Sequence, residues 1–168
     1  RKVTHIVGKF LIQDDVKNAV LTYLTMASEK EPMEIQNARK NLAETLDFKT
    51  ALQAFGKKQA FELAMLNHLV VYPNDFAGAL QKLPRKIRFL LTHAFQSHIF
   101  NQVIQERVKQ GIGLAAQEGE PVNEQGIPMG LLPGYDSEFT PGKIGGMERR
   151  VMEQEGVAFA EFKLKTMA

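Results

Sequence analysis

Apolar residues recur at helical spacing through the first two thirds of the chain. Val16, Ala19, Val20, Tyr23 and Leu24 share one face of VKNAVLTYLTMA, and Asp14 or Asp15 stands where a carboxylate caps the free amides of a first turn. Pro32, set like a first-turn proline, leads into MEIQNARKNLAETL, where Ile35, Ala38, Leu42 and Leu46 lie together. Asp47 heads FKTALQAF and Gly56 can close it. KKQAFELAMLNHLVVY is apolar on most sides, which predicts a deeply buried helix stopped by Pro73. Asn74 or Asp75 then opens FAGALQKL, which ends at Pro84. A long helix follows from about Arg85 to Lys109, with Gly111 and Gly113 beyond it.

The two ends of the chain read differently. THIVGKFLI is β-branched and apolar around Gly8, which predicts a short strand or an extended lead-in. EGEPVNEQGIPMGLLPGYDSEFTPGKIGG gathers glycines and prolines around short apolar pieces, so short strands and ordered loops are expected there. MERRVMEQEG predicts a last short helix, and the alternating tail AFAEFKLK fits a strand or a helical turn. The expected fold is α+β and predominantly helical, a single domain over 1–168. Its helical part spans 14–110, and a small irregular β region with a last helix spans 111–168.

Residues of the long helix placed at 100° steps form two opposed rows. One holds Leu90, Ala94, Ser97, Asn101, Ile104 and Val108; the other holds Leu91, Phe95, Ile99 and Val103. This predicts a central helix sandwiched between layers, with Ser97 and Asn101 as buried polar links that need hydrogen-bond partners. Gln96 and Arg107 fall on a flank between the rows, placed to reach a neighbouring surface.

Composition narrows the chemistry. Of 168 residues, 44% are hydrophobic and 24% charged, with a formal net charge of +2, which is ordinary for a globular chain and too balanced to mark a nucleic-acid binder. No cysteine is present, which excludes disulfides and thiolate metal sites and suits a reducing, cytoplasmic setting. The apolar runs are too short for a membrane span, so none is expected, and no basic-then-apolar pattern that would predict a signal segment is found at the start. The chain starts at Arg1 rather than Met, as expected of a part cut from a longer protein.

A complete catalytic constellation is not visible. Of the histidines His5, His68, His93 and His98, only the last two are close, and their five-residue step separates them around a helix, so no metal site is expected. No phosphate loop or nucleophile elbow occurs. PGKIGG before MERR could cradle an anion, although a flexible connector is the favoured reading. The tight basic segments are PRKIR (84–88) and MERR (147–150).

HAFQSHIFNQVIQER resembles the internal signature of the TruD family of pseudouridine synthases. The matching positions are Ala94, Phe95, Gln96, Ser97, Ile99, Phe100, Asn101 and Arg107. RKVTHIVGKFLIQDDVKNAV, YPNDFAGALQKLPRKIR, EGEPV, MGLLPGYDSE and MERRVMEQEGV are similar to further family segments in the same order. Gln13 and Glu120 depart from the family's usual Gly and Asp, and Phe95 and His98 stand where tyrosine or another aromatic is common in the family.

The resemblance implies an inserted domain of an enzyme that isomerises a uridine of tRNA (the uridine-13 type) to pseudouridine without a cofactor. Its catalytic aspartate is expected upstream. Asp14, Asp15, Asp47, Asp75 and Asp136 do not match that motif, so no catalytic residue is expected here. The expected partners are tRNA and the catalytic domain of the same chain. The expected RNA contacts are Arg85, Lys86, Arg88, Arg107, Lys143, Arg149 and Arg150. The competing reading is a helical interaction or scaffold module with no RNA role.

Overall fold

Aspartates set three of the helix starts. Asp15, Asp47 and Asp75 each accept a hydrogen bond from an amide of the turn that follows: from Asn18, from Lys49 and Thr50, and from Gly78. The computed structural model describes residues 3–163. Its helices are α1 (Thr4–Ile12), α2 (Val16–Thr25), α3 (Met33–Thr45), α4 (Phe48–Ala54), α5 (Ala60–Val71), α6 (Phe76–Gln81), α7 (Arg85–Lys109) and α8 (Gly142–Glu155), followed by a 3-10 turn at Phe159–Phe162. They fall into two compact units, one reaching to Ala94 and the other beginning at Phe95.

The first unit is a helical stack in which α1 packs on α2, α2 on α3 and α6, and α5 on α4 and α6. Leu11, Val20, Leu24, Leu42, Met65, Leu66, Leu69 and Leu91 are among its buried residues. THIVGKFLI is helical, which corrects the strand expectation. Val7 and Leu11 stand four apart on its buried face, and that packing outweighs the β preference of the branched residues. The reading of KKQAFELAMLNHLVVY as deeply buried is also corrected: Glu62, Met65, Leu66 and Leu69 of α5 are inside, whereas Phe61, Val70 and Val71, and Tyr72 just beyond the helix, are exposed.

Arg39 organises the first unit from within. It is fully buried, donating through Nη1 to the carbonyls of Tyr23 and Leu24 and through Nη2 to Glu62 Oε1 at 2.7 Å. Nε and Nη2 also donate to the Glu31 carboxylate. One guanidinium thus satisfies carbonyls at the end of α2 and ties α3 to α5.

The second unit holds the rest of α7, α8 and the segment between them. The predicted β region is absent: the described residues contain no strand, only an isolated antiparallel bridge between Val122 and Pro128. Pro121, Pro128, Pro133 and Pro141 remove the amides a ladder would use, and the turn at 123–127 is closed by the Asn123 side chain. PGKIGG is not a connector, because α8 begins at Gly142 and runs through Gly145 and Gly146. The tail forms the 3-10 turn rather than a strand, and residues 164–165 of that prediction lie outside the described residues.

The two opposed rows of α7 do not share one fate. Leu91, Phe95, Ile99 and Val103 are buried, but Leu90 is 56% and Val108 64% exposed, and Ser97 and Asn101 are exposed with them. The expected burial of Ser97 and Asn101, and with it the sandwiched helix, is therefore corrected.

Candidate nucleic-acid interface

The seven predicted basic contacts divide into three kinds. Arg85, Lys86, Lys143, Arg149 and Arg150 are exposed; Arg88 is half-buried; Arg107 is buried. Arg107 Nε donates to the Gly113 carbonyl at 2.9 Å, Nη2 to the Ala115 carbonyl at 3.0 Å, and Nη1 to Glu120. Its fork is occupied by the loop that follows α7. Arg88 keeps its Nε buried with no hydrogen-bond partner among the described residues.

Arg85 and Lys86 lie in the first unit, at the start of α7. Pro84 precedes them and accepts from the amides of Ile87 and Arg88, so the helix begins there with both cations in its first turn. Cations at that end gain nothing from the helix dipole, which favours negative charge at N-termini. Arg85 instead lies over the Phe89 ring, its Cζ 5.3 Å from the centroid, and Phe89 stacks on His93. No ion pair engages Arg85 or Lys86 among the described residues. Residues 76–105 contain Lys82, Arg85, Lys86 and Arg88 but no aspartate or glutamate. That acid-free stretch was readable in the sequence; the balance of +2 over the whole chain hides it.

Lys143, Arg149 and Arg150 lie in the second unit on α8. Arg149 stands 4.5 Å over the Phe139 ring, and Phe139 in turn meets Phe159 at 4.6 Å. Acidic residues surround this group in sequence: Asp136, Glu138, Glu153, Glu155 and Glu161. The field there is mixed, unlike that of the first turn of α7.

The signature residues of α7 separate by role. Gln96 donates to the Pro133 carbonyl at 2.7 Å, holding the Leu-Pro-Gly loop from the flank where periodicity placed it. His98 Nε2 lies 2.9 Å from Glu155 Oε1 on α8. Ser97 and Asn101 face outward. A cavity of about 90 Å³ in the second unit is lined by Phe100, Val103, Ile104, Ile144, Arg107 and Glu148 among others. Its three charged residues are committed to internal partners: Arg107 as above, Glu120 to Arg107 and the Gln117 amide, and Glu148 to the amide and hydroxyl of Thr140.

Chemistry of a catalytic kind does not assemble among the described residues. Asp15, Asp47 and Asp75 are caps, Asp14 and Asp136 are exposed, and no group of three potential metal ligands occurs. No described helix is long and apolar enough to cross a membrane.

Fold and surface together define a helical chain that presents cations on an acid-free stretch, residues 76–105. The model of the tRNA pseudouridine synthase D (TruD) family matches residues 1–126, and the chain belongs to that family. It is 38% identical over 168 residues to a probable tRNA pseudouridine synthase D of Methanopyrus kandleri, covering 99% of this chain and 42% of that protein. A probable tRNA pseudouridine synthase D of Methanosarcina mazei is 32% identical over 196 residues, with 98% of this chain and 45% of that protein covered. The crystal structure of the putative tRNA pseudouridine synthase D (TruD) from Methanosarcina mazei superposes with a TM-score of 0.88 at 31% identity, covering 99% of this chain and 45% of that one. The chain thus spans less than half the length of these relatives.

Proposed function

We propose that this chain is the RNA-holding part of a tRNA pseudouridine synthase of the uridine-13 type, forming one wall of the cleft in which the tRNA lies. An aspartate-bearing catalytic region of the same protein, outside this chain, carries out the isomerisation. A base must leave its stack before such chemistry can reach it, and cations on the phosphates hold the strand while it does so. Family membership across residues 1–126, joined to the unpaired Arg85 and Lys86 on an acid-free stretch, is the observation that supports this reading. Arg107 is not among the proposed contacts, because its donors serve the loop at 113–120.

The test is a tRNA binding titration at several salt concentrations, together with a pseudouridine assay. The chain is expected to bind with an affinity that falls linearly in log–log form with salt, and to form no pseudouridine. Turnover by the chain alone overturns the placement of the catalytic aspartate. Absence of RNA binding by the chain, together with unchanged RNA binding by the full-length protein once Arg85 and Lys86 are neutralised, favours the scaffold reading instead.

A further inference from the structure

We infer that the start of α7 is a stacking platform for an unpaired RNA base, flanked by phosphate contacts. This rests on the RNA-holding reading above and adds to it the residues and the form of RNA. Arg85, Phe89 and His93 follow one another at four-residue steps, so they form one file along the helix. The guanidinium lies 5.3 Å from the Phe89 centroid. The Phe89 and His93 rings are 6.2 Å apart with their planes 29° from parallel. Arg85 and His93 are exposed and Phe89 is half-buried, so the file is anchored in the middle and open at both ends.

Two neighbours fix the occupant. Leu90, 56% exposed beside the file, adds apolar surface where a merely solvated face would carry charge. Lys86 adds an exposed cation, and no carboxylate lies between residues 76 and 105 to compete for it. Planar groups, apolar surface and cations without acids match a base with its phosphates. The base must be unpaired, because a duplex hides its base faces and offers only backbone to such a surface.

The experiment uses a short unpaired RNA carrying 2-aminopurine and a duplex of the same length. The chain is expected to quench the 2-aminopurine fluorescence and to bind the unpaired RNA more tightly than the duplex. His93→Ala should weaken unpaired RNA by about 5- to 100-fold, and duplex by about twofold at most. Phe89→Leu, which keeps the apolar anchor, should weaken unpaired RNA in the same direction. Arg85→Gln and Lys86→Gln should lower the salt slope for both RNAs. If the chain binds neither RNA, the RNA-holding reading itself fails. If it binds both equally, or if His93→Ala and Phe89→Leu leave the preference intact at unchanged melting temperature, the platform fails while that reading stands.

Discussion

Arg107 and Glu120 meet as a buried ion pair, the guanidinium on the last turns of α7 and the carboxylate at the end of the loop that leaves it. Glu120 Oε2 also accepts from the Gln117 amide, while Arg107 holds the carbonyls of Gly113 and Ala115. Strand pairing is missing from this stretch, so the pair takes over the ordering that a sheet would supply. Glu120→Gln leaves the guanidinium buried beside a neutral partner. It is expected to cost about 3–5 kcal/mol in denaturant unfolding, far more than an exposed pair would.

Arg39 makes the same kind of demand in the first unit. Arg39→Lys keeps the charge but cannot reach two backbone carbonyls and two carboxylates with one ammonium. The expected loss is about 2–4 kcal/mol, since carbonyls at the end of α2 lose a buried donor. Thermal unfolding of Arg39→Lys and Arg39→Met checks this, and equal destabilisation by both would show that geometry rather than charge is required.

Legibility of this fold followed the physics of each signal. Caps are local, so residue type and position alone single out Asp47 and narrow two further starts to Asp14 or Asp15 and to Asn74 or Asp75, of which Asp15 and Asp75 cap. Burial is not local. Periodicity laid out both rows of α7 correctly, but no row states which side meets a neighbour, and Leu90 and Val108 proved exposed. Arg39 and Arg107 escaped notice as internal anchors because a charged residue reads as surface until its partners are known. The basic candidates at the start of α7 were visible as PRKIR, whereas the stacking of Arg85, Phe89 and His93 required the helix to be built.

Exposure of Ser97 and Asn101 reverses the expectation that they are buried polar links. Ser97→Ala and Asn101→Ala should each change the stability of this chain by no more than about 0.5 kcal/mol. Melting curves of the two variants against the parent decide it. A large loss would mean that their side chains carry structure after all.

Asp75 has a pKa below its ordinary value of 3.8, held there first by the Gly78 amide and then by the side chain of His68. A depressed carboxylate contributes stability that is present above its ordinary value and lost as pH falls through its lower, folded value. Acid titration of the fold should therefore show a stabilising contribution that fades below about pH 4. Asp75→Asn should flatten that part of the profile, read as melting temperature against pH.

Two adjacent glycines of α8 should respond in opposite directions to the same change. A Cβ built on Gly145 would stand 1.7 Å from the Thr140 carbonyl oxygen, a backbone atom that cannot swing aside. Thr140 is itself held by Glu148, which accepts from its amide and its hydroxyl at 2.8 Å each. The segment before α8 therefore lies against the helix where only glycine fits. Gly145→Ala should destabilise by about 1–3 kcal/mol even though alanine is the better helix former. A Cβ on Gly146 meets nothing within 4 Å. Gly146→Ala should stabilise by up to about 1 kcal/mol, because it gains helix propensity with no clash. Paired unfolding curves give both signs in one experiment. Equal shifts in the same direction would mean that the approach of Thr140 to α8 is not what requires glycine at 145.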